Sequence, residues 1–548
     1  MERDGILFRQ GASPEEGGYP GYGYRVEHDL GMEIERDVAV RMRDGARIFV
    51  DIYRPEGGRD LPVLLGWSPY GKHPHIQWDL FPGSGVQPGQ LSPYTPFEAP
   101  DPVRWTAYGY ALAFPDPRGT WNSEGGQARF FTPKECEDAY DLIEWLAAQE
   151  WSSGKVGMAG VSYLAMMQWL VAARRPPHLA AINPWEGCSD LYREFFFHGG
   201  IPNSRFVRNW EQRIQHSRVP VEDVRRMMRA HPLLDGYWAE KSPDLAQIEV
   251  PAYVVASWTD HGLHTRGTLE AYRRISSREK WLEIHGRKKW QHYYAEESLG
   301  RQRRFFDRFL RGQEDALSDW PRVRLEVRER FGVGEVREEA QWPIARRSLR
   351  AFYLDAQAGA LAEEPPREAA QVRYDPRAED GRAQFDLRFS EDAEITGNIK
   401  LRLWVQAEGA QDMDLFVVLQ KLDQNGERIP FAHFNAFEDG DVAYGWLRVS
   451  HREQDPLRST PDQPFLLHRR ELPLPADGAP AMVEVEVWPT STHFGAGETL
   501  RLVVQGRDIR SYPEPLVAIE HEETRNEGTH VLLAGGAYDA HLLLPMVE

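Results

Sequence analysis

One serine in this chain lies between a strand-like run and a helix-forming run. Residues 155–159 are strand-like, residues 166–173 favour a helix, and Ser162 stands between the small residues Gly160 and Ala165. A strand that passes through a sharp turn into a helix presents the middle residue of the turn at the edge of a parallel sheet. The segment therefore predicts an α/β domain in which the Ser162 hydroxyl is presented at the end of a strand.

Other apolar runs in the first part of the chain support this fold class. Residues 61–67, 110–114 and 252–256 are short continuous apolar runs, as strands buried on both faces show. Helical patterns such as residues 137–149 separate them. Strands that alternate with helices predict a mostly parallel sheet, and we assign this α/β domain to residues 1–320.

The remaining sequence predicts two further units. Within residues 186–248 the strand signal disappears and the pattern becomes amphipathic and helix-like, which predicts a helical cap inserted over the sheet. Residues 321–548 contain strand patterns only, with apolar and polar residues alternating around 401–405, which predicts a C-terminal β jelly-roll sandwich. Residues 356–379 are rich in Ala, Glu, Pro and Arg and predict a long surface loop.

Composition excludes several classes of protein. The chain has 548 residues, and its 65 basic and 84 acidic residues give a net charge of −19. Such an acidic surface repels nucleic acid and anionic membranes. Two cysteines form neither a disulfide framework nor a cysteine zinc site, and neither a signal peptide nor an apolar membrane span is visible. We expect a cytoplasmic protein with a small-molecule substrate and no cofactor or metal, and leave open a homo-oligomer.

The serine has two candidate partners in the expected chain order. A serine needs a base to take its proton and an acid to orient that base. In α/β-hydrolases the order along the chain is Ser, then Asp or Glu, then His, each just beyond a strand. Asp260 follows the run 252–256, and His285 ends the strand-like run 280–284. The sequence therefore predicts a triad of Ser162, Asp260 and His285.

The histidine is the open member of this triad. His292 lies in the same loop as His285, and His261 and His264 directly follow Asp260. We favour His285 because it follows its strand immediately. A plainer interpretation is also available, with Asp260 as a helix cap and His285 as a hydrogen-bonded core histidine. The correct order at successive strand ends favours the triad.

Several motifs resemble those of one family along most of the chain. They are Gly-Val-Ser-Tyr-Leu-Ala at 160–165, Ser-Pro-Tyr-Gly-Lys at 68–72, Asp-Pro-Arg-Gly at 116–119, Ser-Trp-Thr-Asp at 257–260, and the C-terminal segments 392–397, 412–416 and 535–538. The chain resembles the cocaine esterase-like (CocE/NonD) serine hydrolases, which are related to X-prolyl dipeptidyl aminopeptidases and α-amino acid ester hydrolases.

The resemblance also assigns residues, and it has two departures. It implies an oxyanion hole made by the Tyr70 hydroxyl and the Tyr163 backbone N–H. Ala165 stands where the family motif has glycine. Many relatives carry the histidine in a Gly-Pro-Trp-x-His loop; alignment on the tryptophan selects His292, and alignment on the strand end selects His285.

These inferences predict a serine hydrolase that cleaves carboxylic ester or amide bonds through an acyl-enzyme on Ser162. One alternative is an X-prolyl dipeptidyl aminopeptidase, which needs carboxylates for a substrate amine, with Glu186 and Asp190 as candidates. An alternative of another class is a non-catalytic ligand- or sugar-binding protein on a hydrolase scaffold. We expect Asp116 and Arg118 to form a structural ion pair.

Overall fold

The first half of the chain alternates strands and helices around one sheet. The computed structural model describes residues 1–74, 76, 81–434 and 436–548. Up to the candidate serine, the elements are β1 (Glu2–Arg3), β2 (Ile6–Arg9), β3 (Arg25–Asp29), β4 (Met32–Arg41), β5 (Arg47–Pro55), β6 (Leu61–Leu65), α1 (Pro102–Ala107), β7 (Ala111–Asp116), α2 (Pro133–Ala147), β8 (Ser152–Val161) and α3 (Tyr163–Ala172).

The next elements complete this half. They are β9 (Leu179–Trp185), β10 (Phe197–His198), β11 (Ile201–Pro202), α4 (Ser204–Glu211), β12 (Val221–Glu222), α5 (Val224–Ala230), α6 (Gly236–Ala239), β13 (Ala252–Ser257), α7 (Thr265–Arg274), β14 (Lys280–His285), α8 (Lys289–Tyr293), α9 (Glu296–Leu310), β15 (Val323–Arg330) and β16 (Val333–Glu339). Short π- and 3-10 turns at Tyr192–Phe196, Leu245–Gln247 and Glu314–Leu317 lie between them.

The strands of this half form a mostly parallel sheet. Its order is β3-β4-β5-β7-β6-β8-β9-β13-β14-β15-β16, with parallel pairing from β7 to β15 and antiparallel pairing at both edges. Every residue of β6, β7 and β13 is buried, as expected for strands covered on both faces. The predicted α/β class is confirmed, and the carboxyl ends of β8, β9, β13 and β14 meet at one edge.

The segment between β9 and β13 combines helices with very short strands. It contains α4, α5 and α6 together with the two-residue strands β10, β11 and β12. β12 pairs with β2 near the start of the chain. Polar helix faces and buried aromatic residues explain the amphipathic pattern of this segment, as in α4, where Phe206 and Trp210 are buried.

The second half consists largely of strands. They are β17 (Arg347–Asp355), β18 (Ala360–Ala362), β19 (Ala370–Tyr374), β20 (Arg382–Arg388), β21 (Ala393–Glu408), β22 (Asp414–Leu422), β23 (Arg428–Ile429), β24 (Phe431–His433), β25 (Phe437–Gly440), β26 (Ala443–Arg448), β27 (Ala481–Phe494), β28 (Thr499–Gln505), β29 (Thr529–Ala534) and β30 (His541–Val547), with a 3-10 turn at Val449–His451.

Two groups of antiparallel strands enclose a separate apolar core. One group contains β17, β30, β21 and β27, with β29 and β19 beside the far end of β21; the other contains β20, β28, β22 and β26. Leu401, Leu403 and Val405 of β21 are fully buried in this core, which explains the alternation seen in the sequence.

Two regions of the chain differ from expectation. The predicted surface loop 356–379 contains β18 and β19, because Leu361 and Tyr374 are buried in the second core. β15 begins at Val323, yet it pairs in parallel with β14 and extends the first sheet. Within the described part of the chain, no helix combines the length and the apolar character needed to cross a membrane.

Candidate active site

Ser162 occupies the turn between β8 and α3 in a backbone conformation that few residues other than glycine adopt. Its φ is +58°. Its N–H donates to the carbonyls of Trp185 at 3.0 Å and Glu186 at 3.1 Å. The turn needs Gly160, because a Cβ there would lie 2.4 Å from the Leu164 side chain. Such strain persists where the surrounding structure holds it, and here these two hydrogen bonds fix the serine at the sheet edge.

His264 is the hydrogen-bond partner of Ser162. Ser162 Oγ lies 3.1 Å from His264 Nε2, and His264 Nδ1 forms a hydrogen bond with Asp260 Oδ2. Both residues lie on the turn between β13 and α7, where the Asp260 carbonyl accepts from the His264 N–H at 3.1 Å. Because Nδ1 donates to the carboxylate, Nε2 carries the lone pair that faces the serine hydroxyl. This orientation suits proton transfer from serine to histidine.

Burial and nearby charges hold this pair in the forms that proton transfer needs. Asp260 and His264 are both fully buried. Burial lowers the pKa of His264, and the Lys289 ammonium adds to this against the opposing effect of Asp260. Burial acts to raise the pKa of Asp260, but Lys289 and His264 outweigh it and hold the pKa of this carboxyl well below its usual range. At neutral pH the histidine is neutral and the carboxyl is ionised.

The structure gives His285 partners other than Ser162. His285 does end β14, as predicted, but its Nε2 lies 3.1 Å from Glu186 Oε1 and its Nδ1 accepts from the Arg287 N–H at 3.2 Å. Burial lowers the pKa of His285 to about 4, so the ring is neutral with both nitrogens engaged. The prediction that His285 pairs with Ser162 is therefore corrected, because the turn after β13 already brings His264 to the serine.

His292, the other histidine of that loop, is also engaged elsewhere. Its Nε2 lies 2.9 Å from Glu283 Oε1. Glu283 in turn accepts from the Tyr253 hydroxyl at 2.6 Å and from Arg301 at 2.9 Å. The ring of His292 packs 4.2 Å from that of His285, centroid to centroid. The two histidines belong to one buried polar network after β14.

Both predicted oxyanion donors border the serine. Tyr163 begins α3, so its N–H has no carbonyl partner within the helix. The Tyr70 hydroxyl accepts from Trp210 Nε1 at 3.2 Å and interacts with the Ser162 side chain, and its own proton is left to donate. Burial raises the pKa of Tyr70 above its usual value, so the hydroxyl stays protonated. The two groups can donate to an oxygen that develops negative charge beside Ser162.

The side chain of Tyr163 has a separate structural role. Its hydroxyl donates to the two carboxylate oxygens of Glu135 at 2.8 and 3.0 Å, and Glu135 also accepts from Trp67 Nε1 at 2.9 Å. These contacts tie the start of α3 to α2 and to the residues after β6. They fix the position of the Tyr163 N–H.

The loop after β7 is held in a different way from that predicted. Arg118 pairs with Asp138 at 2.6 Å and with Asp44 at 3.0 Å. The Asp116 carboxylate instead accepts from the Lys72 N–H at 3.1 Å. The expected ion pair between Asp116 and Arg118 was therefore wrong. Asp116 is fully buried at the end of β7, whereas Arg118 reaches out to α2.

A small cavity lies beside Ser162, which contributes to its lining. Its polar lining includes Tyr70, Glu98 and Arg213. Val517, from the second half of the chain, also lines it, so both halves contribute to the wall. The aromatic part of the wall consists of Phe81, Phe97, Phe206, Trp210, Trp290 and Phe434.

Glu98 is a buried carboxyl in this wall. Its Oε1 accepts from Trp290 Nε1 at 3.0 Å, and its Oε2 has no hydrogen-bond partner among the residues that the structure describes. Burial raises the pKa of Glu98 to about 7, although the Lys289 charge acts in the opposite direction. The cavity therefore contains a carboxyl with one unused oxygen and a charge that changes near neutral pH.

Sequence reasoning missed the contact of His264 with Ser162. The predicted triad places the histidine directly after the strand that follows the one bearing the acid, and this placement selects His285. A second signal was present, since His264 is the fourth residue after Asp260. Side chains four residues apart lie on the same side of a helical turn, so an Asp-x-x-x-His sequence after a strand can bring acid and base together.

Comparison with known proteins gives this site a family context. Two family models match the chain: X-Pro dipeptidyl-peptidase (S15 family) over residues 44–294, and the X-Pro dipeptidyl-peptidase C-terminal non-catalytic domain over residues 316–543. The chain is 24% identical, over an alignment of 625 positions, to cocaine esterase from Rhodococcus sp. (strain MB1 Bresler), with 95% of this chain and 100% of the relative covered.

Solved structures resemble both halves of the chain together. A CocE/NonD family hydrolase from Staphylococcus aureus is 40% identical, with a TM-score of 0.91 and 94% of each chain covered. An α-amino acid ester hydrolase is 17% identical, with a TM-score of 0.70, and the match covers 94% of this chain and 97% of that chain. The likeness to the Staphylococcus aureus hydrolase includes the sequence over nearly the whole length. The likeness to the α-amino acid ester hydrolase is one of fold.

Proposed function

The chain belongs to the CocE/NonD family of hydrolases, and from this premise we propose that it cleaves carboxylic esters through an acyl-enzyme on Ser162. The observation that carries the proposal is the hydrogen-bond chain from Ser162 through His264 to Asp260. A serine becomes a nucleophile when a neutral histidine accepts its proton and a carboxylate orients that histidine. The three side chains supply these parts.

The proposed mechanism has two half-reactions. His264 Nε2 takes the proton from Ser162 Oγ as this oxygen attacks the ester carbonyl carbon, and the new oxyanion accepts hydrogen bonds from the Tyr163 N–H and the Tyr70 hydroxyl. Asp260 stabilises the imidazolium, which then protonates the leaving alcohol. A water molecule, deprotonated by His264, attacks the acyl-enzyme, and the acid leaves as Ser162 regains its proton.

The cavity supports esters with an apolar or aromatic group. Its lining is largely aromatic and therefore suits such groups. We assign residues 1–320 to a catalytic domain, 186–248 to a cap inserted in it, and 321–548 to a jelly-roll domain. The cap assignment is supported by α4, which supplies Phe206 and Trp210 to the wall.

A fluorophosphonate probe together with p-nitrophenyl esters tests the proposal. We expect wild-type protein to be labelled and to hydrolyse the esters, and Ser162→Ala to do neither while keeping its melting temperature. Equal labelling of the two proteins, or no labelling of the wild type, would contradict an acyl-enzyme on Ser162. The second result would favour a ligand-binding protein without catalysis.

Cleavage of X-prolyl peptides is a second candidate. The family description supports it. So does the Oε2 of Glu98, which has no hydrogen-bond partner among the described residues and suits a substrate ammonium. Against it, Glu186 accepts from Ser257 at 2.7 Å and Asp190 pairs with Arg193, so both carboxylates predicted for this task are engaged within the protein. Turnover of Gly-Pro-anilide beside p-nitrophenyl esters separates the two; rapid anilide cleavage with inert esters would favour the peptidase.

A further inference from the structure

A buried lysine contacts the acid and the base of the proposed triad. Lys289, the first residue of α8, is 1% exposed. Its Nζ lies 3.2 Å from Asp260 Oδ2 and 3.4 Å from His264 Nδ1. A lysine is rarely buried unless its charge is paired, because removing an ammonium from water is costly. The ion pair with Asp260 therefore compensates for the burial of the Lys289 ammonium.

The titratable groups around Lys289 come from three separate parts of the chain. Asp260 and His264 lie on the turn after β13, Glu98 precedes α1, and Glu186 follows β9. Burial acts to lower the pKa of Lys289, but Asp260, Glu98 and Glu186 outweigh it and raise the pKa above its usual value. The ammonium is therefore charged throughout the neutral range.

A fixed positive charge at this point affects His264 in two ways. Asp260 Oδ2 accepts from both Lys289 Nζ and His264 Nδ1, so the lysine restrains the carboxylate that orients the imidazole. It also opposes a proton on His264, which the carboxyls of Asp260 and Glu186 favour. Without the lysine, only burial opposes these carboxyls, and the balance shifts toward the charged imidazole.

We propose that Lys289 is a positioning residue that fixes the Asp260 carboxylate and keeps His264 in its neutral, proton-accepting form at mildly acidic pH. The proposal rests on the proposed function, because it needs His264 to act as a base. Lys289 acts on the reaction through Asp260 and His264. It comes from the loop after β14, the loop in which a histidine had been expected.

The test is the pH dependence of kcat/KM for p-nitrophenyl acetate in wild type, Lys289→Met and Lys289→Arg. Activity requires neutral His264, so it rises with pH through the pKa of that group. Loss of the positive charge raises this pKa, and we expect the acidic limb of Lys289→Met to move up by about one pH unit. Activity on the acidic limb then falls about tenfold relative to the variant's own plateau. Lys289→Arg retains the positive charge, so we expect the acidic limb of its pH profile to coincide with that of wild type.

The outcomes distinguish this inference from the function on which it rests. A uniform loss of activity in Lys289→Met, with the acidic limb unmoved, would overturn the role of the lysine. Absence of ester hydrolysis in wild type would instead overturn the proposed function. If Lys289→Met fails to fold by circular dichroism, Lys289→Gln, which keeps a polar end without charge, is judged by the same shift of the limb.

Discussion

Asp260 and His264 are separated by three residues, and their side chains meet on the inside of the turn that begins α7. The turn is closed by hydrogen bonds to the Asp260 carbonyl, and Thr265 Oγ1 donates to the Ser257 carbonyl at 2.8 Å. These local contacts fix both side chains relative to the end of β13. The position of His264, the proposed base, is thus set by its own turn.

Exchange of histidines tests which one serves Ser162. We expect His264→Ala to lower kcat for p-nitrophenyl acetate by on the order of 10³-fold or more, because His264 is the proposed acceptor of the serine proton. The matched control is His285→Gln, whose amide can still donate to Glu186. It should keep kcat within about threefold of wild type, with a lower melting temperature. A larger loss of kcat in His285→Gln than in His264→Ala would instead identify His285 as the base for Ser162.

Removal of the Tyr70 hydroxyl tests the oxyanion hole. Tyr70→Phe keeps the ring, which packs against Phe97 and Tyr163. Loss of one oxyanion donor costs about 3–4 kcal/mol of barrier, or a fall in kcat of roughly 10²–10³-fold with KM little changed. Steady-state kinetics measure this split. A rise in KM at constant kcat would show that Tyr70 binds the ground state only.

Glu98 predicts a pH-dependent stability. Its pKa is about 7 in the folded protein against 4.5 for an ordinary glutamate, so the unfolded chain ionises first as pH rises and the contribution of Glu98 to stability is lost through pH 7. We expect Glu98→Gln to gain up to about 3 kcal/mol relative to wild type between pH 5 and 8. Urea unfolding across this range measures the difference, and parallel curves would contradict it.

Among the elements, helix α3, which begins after Ser162, is closely approached by the residues after β9. A Cβ on Gly187 would lie 2.7 Å from the Ala165 Cβ and 3.1 Å from the Met166 nitrogen. The Gly187 N–H also donates to Thr268 Oγ1 of α7 at 3.0 Å. Gly187 therefore packs against α3 and forms a hydrogen bond with α7.

Substitution of this glycine should disturb both helices. We expect Gly187→Ala to destabilise the protein by about 1–3 kcal/mol, as overpacking does, and to lower kcat. Gly300→Ala is the matched control, because its Cβ meets no atom within 4 Å in α9 and alanine favours a helix. Thermal unfolding and ester kinetics measure both. An unaffected Gly187→Ala protein would show that α3 can shift freely.

The sequence predicted those elements whose own residues form an apolar run, as buried strands do. The strands β6 and β13 and the second half of β8 are continuous apolar runs. The positions of Ser162 and Asp260 follow from the strands before them. His264 was missed because its role depends on a turn that no periodicity marks. β18 and β19 were missed because each depends on distant partners, such as the contact of Tyr374 with the second core.

At the scale of the whole molecule, the cavity belongs to both halves of the chain. Phe434 and Val517 line it from the second half, and the Phe434 N–H donates to the Thr259 carbonyl beside Asp260. Arg328 is a further buried link, since it donates to the Val442 carbonyl at 2.8 Å and to Thr490 Oγ1 at 2.6 Å. The second half therefore shapes the wall directly.

Truncation of Phe434 tests this contribution. We expect Phe434→Ala to raise KM for a bulky aromatic ester by about tenfold, which corresponds to about 1.4 kcal/mol of lost contact, and to change acetate ester turnover little. Phe352→Ala, a buried phenylalanine of the second core, is the matched control and should lower stability without changing this preference. Equal effects on both esters would show that Phe434 does not contact the aromatic group of the substrate.

The turn that joins Asp260 to His264 has a consequence for recombination between related genes. Five consecutive codons encode both members of the pair, so a crossover almost anywhere else in the gene inherits them together. Chimaeras that exchange the segment after β14 would keep the Asp260–His264 pair whichever residue they receive in place of Lys289. Under the role proposed for Lys289, an uncharged residue there would shift the pH range of activity while the pair stays intact.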